Sequence, residues 1–196
     1  MEKQKVDIST AAGLVLDAIH AIDKPEPVLV AIDGRCGSGK TTLAKAICER
    51  SDTAVVHMDD FFLRPEQRTP ERFAEPGGNV DRERFLEEVL VPLRGGREVT
   101  YRPYNAHRQC FLEPARLEAK PIVLLEGSYS CHPALWDYYD LHIFLDVAPA
   151  EQLRRIESRN GQDGLGMFQA RWIPLEEAYF QAFSPDSRCE LCFELV

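Results

Sequence analysis

Gly34-Arg35-Cys36-Gly37-Ser38-Gly39-Lys40-Thr41 fits the pattern G-x-x-x-x-G-K-[ST] at every fixed position. A loop of this kind turns successive backbone N–H groups inward around phosphate oxygens, and glycine reaches the required dihedrals without a Cβ penalty. A helix beginning near Lys40 adds its positive end. Lys40 would bring a point charge to the outer phosphates, and the Thr41 hydroxyl would face Mg²⁺. Gly34, Gly37, Ser38, Gly39, Lys40, Thr41 and Thr42 are therefore the expected phosphate-binding positions. A glycine-rich turn with a chance lysine is the alternative. It is disfavoured by the apolar run Val28 to Ile32 before the loop and the helical pattern from Leu43 to Ile47 after it.

Carboxylates come next. Asp33 precedes the loop, Asp59-Asp60 follow the apolar run "AVVHM", and Glu126 follows "IVLL". In a parallel α/β sheet, ligands sit beyond the carboxyl ends of the strands. Phosphoryl transfer to an alcohol needs a donor cradle, a metal, a group to orient or deprotonate the hydroxyl, and cations for the transition state. Asp59 or Asp60 could take the hydroxyl proton. Glu126 could hold a metal-bound water or the acceptor. Taken singly, each is as easily a helix cap or a solvated turn; taken together at corresponding strand ends, Asp59 and Glu126 read as functional. Asp33 reads as support for the loop. Arginines supply the cations: four between Arg94 and Arg108 together with His107, and a second group at Arg154, Arg155, Arg159 and Arg171.

These residues must be positioned by a fold. Helical apolar spacing over residues 8 to 22, with Ser9 or Thr10 as cap, predicts a first helix, and "KPEP" breaks it. Strands are expected at Val28 to Ile32, Ala54 to Met58, "PIVLLEG", "DLHIFLDV" and the closing "RCELCFELV". Residues 64 to 80 read as loop with short helical turns, and "VDRERFLEEVLVPL" as an amphipathic helix. "EVTYRPY" and "QCFLEPARL" could pair as a small hairpin. Helices are expected over 150 to 160 and 167 to 183. Strands alternating with helices imply a parallel sheet with helices on both faces.

The chain has 196 residues, 44% of them hydrophobic, which suits one α/β domain over residues 1–196. A formal net charge of −9 argues against a nucleic-acid surface, and local basic patches on an acidic chain suit small anionic ligands. No amino-terminal signal and no apolar run of membrane-spanning length is visible, so no membrane is expected and the expected location is cytoplasmic. The six cysteines do not suggest a disulfide framework. Cys189 and Cys192 form a lone C-x-x-C and are read as core or strand-end residues. Cys36, inside the loop and near a helix start, is expected to have an acidified, reactive thiol. His20, His57, His132 and His142 have no evident partner and are read as structural.

The ordered set "GRCGSGKTT", "HMDDFF", "GGNVD-RERF", "VPLRGGREVTYRPYN", "VLLEG" and "DLHIFLDV" resembles the uridine kinase-like P-loop kinases, a group that includes phosphoribulokinases, pantothenate kinases and nicotinamide riboside kinases. The match runs from about Val28 to Phe183. It implies a P-loop NTPase three-layer sandwich with a small lid at about residues 154–168, ATP or GTP as donor, and Mg²⁺. By resemblance, Asp59 accepts the acceptor's proton, with Lys40 and Arg159 as further catalytic residues and Arg155 on the nucleotide. Asp81 matches an aspartate that holds ribose hydroxyls, and Tyr104 and His107 match a segment that stacks on and hydrogen-bonds a pyrimidine. Glu126 matches a metal-side or ribose-side glutamate, so Thr41 and Glu126 are the implied metal positions. The family's D-x-F-Y appears here as Asp59-Asp60-Phe61-Phe62, and the lid reads "NGQDGLG", with Asp163 where further basic residues are usual.

The resemblance implies an ATP-dependent small-molecule kinase acting on a nucleoside, uridine or cytidine first. Alternatives are a kinase for nicotinamide riboside, pantothenate or a similar metabolite, and a slowly hydrolysing nucleotide sensor. The sensor reading lacks an N-K-x-D motif, and the D-x-x-G at Asp163 to Gly166 lies far past the relevant strand end. A small-molecule acceptor is the expected partner, and a homo-oligomer is compatible with the sequence.

Overall fold

The computed structural model describes residues 3–24 and 27–196. Its centre is a six-stranded sheet in the order β1 (Gln4–Val6), β10 (Leu191–Leu195), β9 (Leu141–Asp146), β2 (Val28–Gly34), β8 (Ile122–Glu126), β3 (Thr53–His57). Every neighbouring pair is parallel. Parallel neighbours need crossovers, and helices supply them, so both sheet faces are covered.

Alternation along β2 divides the core into two layers. Val28, Val30 and Ile32 pack with Ala11, Ala12 and Val15 of α1 (Ile8–His20) and with Leu43, Ala44 and Ile47 of α2 (Lys40–Cys48). Leu29 and Ala31 face the other way, into a cluster with Phe61, Phe85, Val89, Leu90, Phe144 and Tyr179. This is the expected three-layer sandwich. Burying each such large apolar side chain contributes about 1.5–3 kcal/mol before chain entropy is counted.

The second layer is built from α4 (Arg82–Phe85), a π-helical turn at Leu86–Leu90 and α5 (Val91–Arg94), which together form the predicted amphipathic helix. Tyr179 comes from α8 (Ile173–Phe183). Preceding it, α7 (Pro149–Met167) leaves helical dihedrals at Gly161 (φ 70, ψ 179) and runs through a π-helical turn at Phe168–Trp172 into α8. The expected lid segment is thus helical, and the two predicted helices meet with no loop between them. The remaining helices are short: α3 (Pro70–Ala74), α6 (Pro133–Trp136) and α9 (Pro185–Arg188).

Other expectations are corrected in detail. The cap of α1 is Asp7, whose side chain accepts the Thr10 N–H at 2.8 Å, not Ser9 or Thr10. β1 has no counterpart among the expected strands, because three residues are too few to show periodicity. The predicted hairpin is two small ladders: β4 (Val99–Tyr101) with β7 (Ala115–Leu117), and β5 (Tyr104–Asn105) with β6 (Cys110–Phe111). The "KPEP" break includes Pro25 and Glu26, which lie outside the described residues. Among the described residues no helix is long and apolar enough to cross a membrane.

Candidate active site

The loop leaves β2 through a backbone contact that excludes any side chain. Gly34 sits at φ 139, and a Cβ there would lie 2.0 Å from the Leu145 carbonyl oxygen on β9. That carbonyl accepts the Arg35 N–H at 3.1 Å, so the loop begins pinned to the neighbouring strand. At its other end Gly39, in left-handed dihedrals (φ 102), starts α2. The Lys40 ammonium folds back over the loop, donating to the carbonyls of Gly34 (2.7 Å) and Arg35 (2.9 Å), and lies 3.4 Å from Ser128 Oγ. Thr41 and Thr42 open to solvent on the first turn of α2. The Ser38 hydroxyl, fully buried inside the loop, has no hydrogen-bond partner. Left-handed glycines, an N-terminal helix end, a converging lysine and an orphaned buried hydroxyl together fit a polyphosphate.

Asp33 supports this loop from below. Its buried carboxylate accepts the N–H of Gly34 (2.6 Å), Tyr129 (3.0 Å) and Cys131 (3.0 Å) and the Tyr179 hydroxyl (2.7 Å). Burial pushes its pKa up, against the pull of these donors. The structural reading of Asp33 is the one these contacts describe.

Strand register assembles the opposite wall. Glu126 at the end of β8 pairs in register with Ile32 on one side and His57 on the other. Glu126 Oε1 accepts the Thr41 hydroxyl at 3.1 Å and lies 2.5 Å from His57 Nδ1. The hydrogen bond to Glu126 raises the His57 pKa, with burial opposing it. His57, read from sequence as partnerless, is therefore part of the site. Asp59 follows in the turn Met58–Phe61. Its carboxyl is accessible but crowded by protein, which raises its pKa; Lys40 pulls it down and Glu126 pushes it up. Among the described residues no group of three or more His, Cys, Asp or Glu side chains forms a metal cage. One hydroxyl and one carboxylate beside a phosphate cradle is nonetheless the hard-oxygen donor set that fits Mg²⁺, which takes most of its ligands from substrate phosphates and water.

The acceptor side is more enclosed than the sequence suggests. Asp60 accepts the Tyr101 hydroxyl at 3.1 Å, and Tyr101 stacks on Phe61. The Arg84 guanidinium covers the outer face of Phe61 at 4.2 Å. Asp81 is buried; it caps α4 through the Arg84 N–H (3.2 Å) and accepts from Gln67 Nε2 (2.8 Å). For it to hold an acceptor hydroxyl, Gln67 must yield. The Tyr104 ring is 4% exposed and packs edge-on against Phe111, its hydroxyl buried without a partner. Its face is covered, so it presents no open stacking platform. His107 stands exposed on the β5–β6 turn, where Asn105 Oδ1 accepts its N–H at 3.1 Å.

Of the lid arginines, Arg155 reaches the loop, donating to the Gly37 carbonyl (3.3 Å) and to Leu195 O (3.0 Å). Arg154 pairs with Glu151. Arg159 is exposed and donates to Asn160 Oδ1, so it is not brought to the loop in this conformation. The Cys36 expectation reverses: burial and the nearby Glu176 carboxylate push the thiol up to about 12, outweighing Lys40 and the Gln152 amide. Glu176 carries no signal in the sequence. It lies 140 positions from Cys36, yet both its oxygens accept the Cys36 N–H at 3.0 Å.

No protein-family model matches the chain. A uridine kinase from Alkaliphilus metalliredigens is 26% identical over 176 residues, spanning 83% of this chain and 84% of the relative. A possible uridine kinase from Bacillus stearothermophilus superposes with a TM-score of 0.72 at 18% identity, covering 94% of this chain and 97% of its own. The chain is similar to the uridine kinase-like P-loop kinases in sequence and in fold. A candidate fructose transport system kinase from Silicibacter sp. TM1040 shares this kinase fold at a TM-score of 0.69 and 22% identity, covering 97% of this chain and 98% of its own. The neighbours of this kinase fold thus carry names with different substrates.

Proposed function

We propose that this kinase transfers the γ-phosphate of ATP to a hydroxyl group of a nucleoside, uridine or cytidine being the first candidates. The observation that carries the reading is the convergence of Lys40, Thr41, Glu126, His57 and Asp59 on the carboxyl ends of β2, β8 and β3. ATP is the phosphoryl donor of this reading, and Thr41 and Glu126 would hold Mg²⁺, which would neutralise charge on the transferred group. Lys40 releases the loop carbonyls to bind the outer phosphates. Asp59 orients the acceptor hydroxyl and takes its proton, a task suited to a carboxyl whose pKa is raised. Arg155 holds the loop from the lid side, and Arg159 is the lid arginine that would cover the transferring group. Asp81, Tyr104 and His107 are the acceptor-side residues of this reading.

A second reading is favoured by one observation, the covered ring of Tyr104. If the flap formed by β5 and β6 stays closed, the acceptor is a hydroxyl metabolite without a stacked base, such as pantothenate or a related compound; nicotinamide riboside stands between the two. Coupled ADP release with ATP and Mg²⁺ against uridine, cytidine, other ribosides and pantothenate separates them. Stimulation by uridine or cytidine supports the first reading. Stimulation by a base-free acceptor alone replaces it, and ADP release independent of every acceptor points to a sensor.

A further inference from the structure

Glu176 is a buried carboxylate, 3% exposed, that reaches the phosphate loop from α8. Both of its oxygens lie 3.0 Å from the Cys36 N–H, and its Oε1 accepts the Ser128 hydroxyl at 2.7 Å. Ser128 Oγ is in turn 3.4 Å from Lys40 Nζ. The carboxylate therefore stands one hydroxyl away from the ammonium that serves the outer phosphates of a bound donor, while the start of α2 serves the inner ones. A loop N–H of this kind is an anion position, and here a side chain of the same chain takes it. Among the described residues no lysine or arginine pairs with Glu176; the adjacent Glu177 takes Arg35 instead.

We propose that Glu176 is a donor-specificity residue: it holds the outer anion position of the loop, so a nucleoside triphosphate must displace it whereas a diphosphate binds beside it. The inference rests on the reading of the loop as an ATP site. Two like charges near one ammonium oppose each other, and a buried carboxylate without a cation of its own is the one that yields. A recess of about 300 Å³ lined by Arg35, Gln152, Ile173 and Glu177 lies along α8, on the side where the helix meets the loop.

Glu176→Gln keeps the shape and an oxygen for the Cys36 N–H but removes the charge. Affinities for Mg-ATP, Mg-ADP and inorganic tripolyphosphate would be measured by calorimetry on both proteins. The expected result is ATP and tripolyphosphate binding tightened about tenfold, about 1.4 kcal/mol, with ADP changed less than about twofold. Equal changes for ATP and ADP, or weaker binding of both, would show a purely structural brace and overturn the proposal. If neither protein binds ATP or ADP, the nucleotide reading itself falls. Should the variant fail to fold, hydrogen exchange on the unaltered chain decides the matter. ATP should speed exchange across residues 173–183 relative to ADP, and equal exchange with both nucleotides overturns the proposal.

Discussion

Asp33→Asn tests how the loop is held. The native carboxylate accepts four hydrogen bonds, two on each oxygen: Gly34 and Tyr129 N–H on Oδ1, Cys131 N–H and Tyr179 O–H on Oδ2. Asparagine keeps one accepting oxygen. If that oxygen takes the Oδ1 position, its NH₂ faces the Cys131 N–H, donor against donor, while the Tyr179 hydroxyl can rotate to accept. One buried N–H is then orphaned and one charge-assisted bond is weakened, and removing a charge that burial disfavours offsets part of the loss. The net cost is about 2–3 kcal/mol. For a chain of this length that lowers Tm by about 4–12 °C. Thermal unfolding by circular dichroism reads it, and a double-mutant cycle with Tyr179→Phe locates it. Tyr179→Phe alone should cost about 1–1.5 kcal/mol, and less when Asp33→Asn is already present. Full additivity, or a Tm change under about 2 °C, would refute the view that one carboxylate ties β2, the loop and α8 together.

Asp59→Asn should lower the transfer rate by about 10²–10⁴-fold while calorimetric ATP affinity survives; retained transfer would remove Asp59 from the proton-accepting role. The Cys36 thiol, pushed up to about 12, should react with iodoacetamide at about pH 7.5 more slowly than exposed Cys110, as read by peptide mass mapping; faster labelling of Cys36 would contradict its burial beside Glu176. His57 has a raised pKa through Glu126, so the pair's contribution to stability is complete below the unfolded histidine value of about 6.5 and is lost as pH rises through the higher folded value. The urea midpoint of the native chain should therefore fall between about pH 6 and about pH 8.5 by more than that of His57→Gln, and equal falls would disconnect His57 from Glu126.

What can be read from sequence follows from what is local. The loop, its flanking strand and helix, and the acidic residues that end apolar runs are contiguous signals, and the parallel three-layer sheet follows from their alternation. His57 is hidden because its partner depends on strand register: only when β3 lies beside β8 does it meet Glu126. Glu176 is hidden because no local pattern marks a carboxylate that folds back across the chain to a loop amide. Cys36 misleads for the same reason, since the helix end that should acidify it is local, and the burial and the Glu176 carboxylate that override it are not. Tyr104 and His107 show the converse limit, for a motif fixes their order in the chain but not which of them is covered by the flap.

The sheet order also sets a timetable for synthesis. β10 lies between β1 and β9, so β1, the earliest of the described strands of the sheet, has no partner in it until β10 is made. As the chain leaves the ribosome, β2, β3, β8 and β9 can assemble around the loop while Gln4–Val6 waits. Closing that pair joins the two strands of the sheet that lie farthest apart in sequence, the kind of contact that forms slowly. Arg155 donates to the carbonyl of Leu195 on that same strand and to the loop at Gly37, so completion of the sheet and completion of the loop's surroundings are one late event.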